Sequence, residues 1–68
     1  MTQTLVTQNS TFEIRPTTTA TELAQQIRGM ANRPVHFDIA REVAAELTSG
    51  RYTGGQLRTW GIEVRRTH

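Results

Sequence analysis

Apolar residues recur along this chain in two rhythms: a two-residue alternation near each end and a three-and-four spacing through the middle. Phe12 and Ile14 alternate with Glu13 and Arg15 before Pro16. That is the pattern of a half-buried strand closed by a residue that cannot donate to a ladder. Upstream, Leu5 and Val6 sit in a threonine-rich stretch that predicts a less strongly marked strand over residues 4–7, with Asn9-Ser10 placed to turn a hairpin. Near the other end Ile62, Glu63, Val64 and Arg65 alternate in the same way as residues 12–15. The simplest sheet pairs those two similar segments with each other.

The middle of the chain reads as helix. Thr19-Ala20-Thr21-Glu22 fits a capping box, in which the threonine hydroxyl accepts a first-turn amide and the glutamate reaches back to the cap. Behind it Ala20, Leu23, Ala24, Ile27, Met30 and Ala31 share one face. Gly29 weakens the last turn, and Asn32-Arg33-Pro34 ends the helix because the residue before proline avoids helical backbone. A second helix starts between Pro34 and Asp38, either with proline in its first turn or with Asp38 as its N-cap. Its buried stripe is Ile39, Ala40, Val43, Ala44 and Leu47, its outer face Arg41, Glu42 and Glu46, and Ser49-Gly50 its stop.

Thr53-Gly54-Gly55-Gln56 repeats the capping-box spacing, and Leu57 and Trp60 then lie three apart on a short helix that Gly61 would end. Leu57, Trp60 and Val64 also suit a helix continuing through Gly61. The cost of about 1 kcal/mol for an internal glycine, and the β-branched residues that follow, favour the strand. The expected fold is a single α+β domain over residues 1–68, with two or three short antiparallel strands packed on two helices and a short helical turn. The order is strand, strand, helix, helix, short helix, strand. Phe12, Ile14, Leu23, Ile27, Met30, Ile39, Val43, Leu47, Leu57, Trp60, Ile62 and Val64 are the expected core. Neither an internal repeat nor a linker is evident.

Size constrains this picture. A chain of 68 residues with 35% hydrophobic composition and no cysteine buries only about 60% of its unfolded surface and has no disulfide to reinforce it. Packing against a copy of itself or another partner is therefore expected. The lack of cysteine points to a reducing, cytoplasmic setting. The N-terminus has no basic start followed by an apolar run, and no stretch approaches the length that spans a bilayer, so neither export nor a membrane is expected. Asn9-Ser10-Thr11 matches a glycosylation acceptor but has no expected route to use.

Every basic residue is arginine. Bidentate recognition of phosphate or carboxylate would select this, and codon usage in a GC-rich genome accounts for it without any function. The distribution is more telling than the total of +2. Residues 1–48 carry four arginines against five acids, net −1, whereas residues 49–68 carry Arg51, Arg58, Arg65 and Arg66 against Glu63, net +3.

Catalytic chemistry finds little support. His36, Asp38 and Glu42 supply too few imidazoles for a metal site, and the other histidine is the terminal His68. His36 near a helix start and Asp38 at the positive end of its dipole account for the group. Ser10 and Ser49 lack the glycine-flanked elbow of a nucleophile. Gly54-Gly55 carries no nucleotide-binding fingerprint and suits a turn. No enzyme, metal or cofactor is expected.

Binding is the remaining class. Tyr52 and Trp60 lie among arginines, a combination enriched at interface hot spots. Trp60 reads as a core anchor and Tyr52 as the surface aromatic. The expectation is a small accessory or regulatory protein, of the kind phage and plasmid genes encode as inhibitors, that binds another protein through Arg51, Tyr52, Arg58, Arg65 and Arg66. The alternative is a DNA-binding regulator with a helix-turn-helix-like basic segment. There Gln56, Arg58, Thr59 and Arg65 would face nucleic acid, although the turn is long and the second helix short for that motif.

Overall fold

A computed structural model describes residues 2–53 and 55–67. Strands β1 (Thr2–Val6) and β2 (Thr11–Ile14) are followed by helices α1 (Ala20–Met30), α2 (Phe37–Ser49) and α3 (Gly55–Thr59), and β3 (Glu63–Thr67) closes the chain. The result is a small α+β fold with a three-stranded antiparallel sheet in the order β2-β1-β3.

The central strand is β1, not one of the two segments that alternate most cleanly. It sets Leu5 opposite Phe12 on one side and Val64 on the other. β2 and β3 therefore never meet, which corrects the expected pairing of residues 12–15 with 62–65. The physical reason is burial. Leu5, flanked on both sides, is fully buried, and that central position compensates for a segment of weak alternation. Gln3, Leu5, Phe12, Ile14, Val64 and Arg66 share the face toward the helices, because cross-strand partners point the same way. Thr4, Val6, Thr11, Glu13, Glu63 and Arg65 share the outer face.

The hairpin from β1 to β2 does not use a left-handed residue, since no residue other than glycine has positive φ among those described. Instead the Thr7 hydroxyl accepts from the Asn9 and Ser10 amides at 3.3 and 3.1 Å. The Thr7 amide donates to the Ser10 carbonyl at 2.9 Å. The side chain thus takes the place of the usual glycine turn.

Thr19 caps α1 as expected, its hydroxyl accepting from the Glu22 amide at 3.1 Å. α2 begins at Phe37 with His36 as its cap, the ring Nδ1 accepting from the Asp38 amide at 3.1 Å. The start falls within the expected interval between Pro34 and Asp38 but by neither expected device: Pro34 lies before the helix, and Asp38 occupies its first turn. Arg28 braces the link between the helices. Its Nε donates to the Val35 carbonyl at 2.9 Å, and its guanidinium lies over the Phe37 ring, 5.9 Å from the centroid.

The core joins Leu5 and Ile14 of the sheet to Leu23, Ala24 and Ile27 of α1, Ala40, Val43, Ala44 and Leu47 of α2, and Leu57, Trp60 and Ile62. Phe12, Met30 and Val64 pack at its margin. Ile39 does not belong to it and stays 47% exposed. The buried stripe of α2 is centred between Ala40 and Leu47, and Ile39 lies about 90° round the helix from that centre. Val35, between the helices, is buried without any periodic signal.

Both α2 and α3 stop at left-handed glycines with φ of 78°. Around Gly50 the Arg51 amide donates to the Glu46 carbonyl at 2.9 Å and the Gly50 amide to Leu47 at 3.3 Å. Around Gly61 the Ile62 amide donates to Leu57 at 2.9 Å and the Gly61 amide to Arg58 at 3.0 Å. Both are Schellman closures. Gly61 is further constrained, because a Cβ there would lie 3.0 Å from Asn32 Nδ2. Gly61→Ala is expected to lower the unfolding free energy by about 1–2 kcal/mol through backbone strain and crowding. Gly29, in α1 with open space around it, is expected to gain about 0.5–1 kcal/mol on substitution by alanine. Urea titrations followed by the fluorescence of the single tryptophan test both signs.

Candidate functional site

Of the five residues expected to bind a partner, Tyr52, Arg58 and Arg66 line a groove beside the free edge of β3, and Arg51 and Arg65 do not. The ladder determines which backbone groups that edge offers. The Thr7 amide bonds Ser10, so Thr7 and Ser10 form a hydrogen-bonded pair. Leu5 with Phe12 and Gln3 with Ile14 follow at steps of two. β1 consequently turns the backbone groups of Thr4 and Val6 toward β3, where they meet Arg65 and Glu63. Val64 and Arg66 are left with their amides and carbonyls pointing away from the sheet. No described residue bonds those groups.

Beside this edge runs a groove. One stretch, about 630 Å³, is lined by Thr53, Arg58, Gly61, Ile62, Glu63 and Val64. A second, about 460 Å³, is lined by Tyr52, Thr53, Val64 and Arg66. Thr53 and Val64 are common to both, so the two run together along β3.

Tyr52 is not the surface aromatic that composition suggested. It is 7% exposed, and its hydroxyl accepts from the Leu57 amide at 2.7 Å. The phenol therefore satisfies an amide of the first turn of α3, a role the sequence suggested for Thr53. Burial pushes the Tyr52 hydroxyl above its ordinary pKa; the Leu57 hydrogen bond opposes this, and the Glu46 carboxylate adds to it. Trp60 is 4% exposed and anchors the core as expected.

The arginines divide by position. Arg58, in the last turn of α3, is exposed and lines the groove. Arg66 lies on the helix-facing side of β3, and its Nη2 donates to the Tyr52 carbonyl at 3.3 Å. Arg65 lies on the outer face, with its Nε 3.5 Å from Glu63 Oε1. Arg51 follows the α2 closure, and its Nε donates to Ser49 Oγ at 3.2 Å. Arg58, Arg66 and Tyr52 thus come together at the groove, while Arg65 shares the strand but not the face.

Of the residues set aside for nucleic acid, Gln56 is exposed on α3, and the Thr59 hydroxyl donates to the Gly55 carbonyl at 3.3 Å. α3 has five residues. His36 is engaged as a helix cap, and no group of three or more His, Asp or Glu side chains gathers among the described residues. Gly54 of the glycine pair, and His68, lie outside the described residues. No described helix is long and apolar enough to cross a membrane.

The residues that sequence reasoning missed are Thr53 and the backbone of Val64. Their signal is the strand register, which could not be read while β1 was not recognised as central. No family model, curated protein or solved structure matches this chain.

Tyr52 makes alkaline stability informative, because the chain has one tyrosine, no cysteine and no lysine. A folded-state pKa raised above the unfolded value gives stability that is complete below about pH 10. It is lost as pH rises through the folded value. The wild-type urea midpoint is expected to fall above pH 10, and that of Tyr52→Phe to stay flat there. Tyr52→Phe should also cost about 1–3 kcal/mol at neutral pH by leaving the Leu57 amide unsatisfied.

Proposed function

We propose that this chain is a small non-enzymatic accessory or regulatory protein that acts by binding another protein, taking an extended segment of it onto the free edge of β3. The observation that carries this reading is the outward pair of Val64 and Arg66 backbone groups beside an open groove. Such an edge is a template for strand addition: main-chain hydrogen bonds supply affinity, and side-chain pockets supply selectivity. Arg58 in the groove, and the net +3 of residues 49–68, favour an acidic segment. Phage and plasmid genes encode inhibitors and modulators of this size and style.

A DNA-binding regulator remains the second class on charge alone. No specific observation favours it, since a helix of five residues presents little to a major groove and the Thr59 hydroxyl is turned back onto Gly55.

The test uses immobilised short peptides that alternate apolar and acidic residues, with mixed-sequence duplex DNA in parallel. Val64→Pro removes an outward amide and leaves the β1–β3 ladder intact, a position where an edge strand tolerates proline. Wild type should retain a subset of the peptides. Val64→Pro should weaken retention by about tenfold or more, and Arg58→Ala by a few-fold. Retention that is indifferent to Val64→Pro overturns the docking edge. Saturable duplex binding that falls steeply with salt, with no peptide retained, replaces protein binding by the DNA reading.

A further inference from the structure

A strand that adds to β3 must face Val64 or Arg66 with outward-pointing residues of its own, and β3 itself is such a strand. For two copies related by a two-fold axis the interface is self-complementary, and only a few antiparallel registers satisfy the hydrogen-bonding alternation. Centring the axis on Glu63 sets glutamate against glutamate. Centring it on Arg65 or Arg66 sets arginine against arginine. Centring it on Val64 sets Glu63 against Arg65 of the second copy, twice by symmetry, on the outer face of the sheet. The same register brings the two Val64 side chains together on the helix-facing side. The Val64 residues then exchange both backbone hydrogen bonds. Pairing ends near Ile62, whose amide is already committed to the Leu57 carbonyl at 2.9 Å.

We propose that in the isolated protein β3 pairs antiparallel with β3 of a second copy, centred on Val64 and joining two three-stranded sheets into one. This rests on the reading of β3 as a docking strand and names its occupant when no other partner is present. Self-pairing and partner binding use the same backbone groups, so each excludes the other. Glu63 and Arg65 are free to change partners: they lie 3.5 Å apart within the chain, and their side chains are 64% and 63% exposed.

The opposite edge of the sheet does not offer the same solution. β2 turns Thr11 and Glu13 outward, and its charge-matched register would be centred on Ile14 with Glu13 facing Arg15 of the second copy. That register needs the Arg15 amide and carbonyl. Both are taken within the chain, the amide by Thr18 Oγ1 and the carbonyl by the Thr18 amide, each at 2.9 Å. Hydrogen bonds of the β2–α1 turn thus block the charge-matched register on that edge, whereas the corresponding register on β3 is left available.

Sedimentation of the full chain over a range of concentrations tests the proposal. Wild type should show a reversible monomer–dimer equilibrium. Glu63→Arg and Arg65→Glu should each weaken it by about tenfold or more, since each turns two opposite-charge cross-strand pairs into like-charge pairs. The double variant Glu63→Arg/Arg65→Glu should restore it to within about threefold, because the reversed pairs match again. Val64→Pro should be monomeric with native Trp60 fluorescence. A wild type that stays monomeric, a dimer indifferent to the single reversals, or a folded double variant that fails to recover overturns the self-pairing. A monomeric wild type whose peptide retention is still lost with Val64→Pro overturns self-pairing alone, whereas a protein that dimerises in the expected register but retains no peptide when held below its dimerisation concentration overturns the partner reading alone.

Discussion

The pairing of β3 with β1 is the constraint on which the rest of the molecule depends, because it joins the last described segment to the first and makes the weakest predicted strand the centre of the sheet. Loop-closure entropy opposes a contact between such distant segments, so the chain needs local devices that aim β3 at its target. Gly61 supplies one. Its left-handed backbone lets the Ile62 amide return to Leu57, which ends α3 and reverses the chain. A second tie runs from the Asn32 amide to the Trp60 carbonyl at 3.0 Å, fixing that reversal against the end of α1. Tyr52 completes the arrangement from the other end of α3, holding the Leu57 amide while its own carbonyl accepts from Arg66. A helix of five residues could not persist alone; here it is held at both ends and positions β3.

The antiparallel sense of that pairing determines the chemistry of the edge. Once Glu63 and Arg65 bond β1, Val64 and Arg66 must face outward, and a slip of one residue would exchange the two sets. The groove and the available hydrogen bonds are thus consequences of the closure rather than of any one side chain. The basic character of residues 49–68 supplies charge around the groove, and the register supplies direction.

Much of the fold was legible in the sequence, and the reasons are local. The amphipathic faces of α1 and α2, the Thr19 cap, the two glycine stops and the choice of strand after Gly61 follow from patterns spanning a few residues. What was not legible depends on distant partners. β1 carries little alternation of its own and is central because two strands flank Leu5. Tyr52 is buried because its hydroxyl finds Leu57, which no hydrophobicity pattern encodes. Ile39 fits the apolar spacing and yet lies beyond the width of the buried stripe, and His36 displaced both expected helix starts because an imidazole nitrogen can cap where an Asx or Ser is usual. At the site, arginine clustering was visible as composition, but which arginines share a face was not, because that depends on the strand register.

The charges on β3 admit a protective reading as well, since charged residues on edge strands commonly prevent indiscriminate association. That reading applies fully to a strand of one sign, which repels its own copy in every register. Glu63 and Arg65 lie on the same face two residues apart, so a second copy meets repulsion when the axis falls on either of them and attraction when it falls between. The same side chains therefore discourage slipped pairings and favour one alignment, as the proposed pairing of β3 requires. On β2 the comparable Glu13–Arg15 arrangement is combined with Arg15 backbone groups already bonded to Thr18, so the register that would match those charges is blocked. The two edges carry nearly the same charge pattern, and the difference between them lies in which main-chain donors and acceptors the fold has already used.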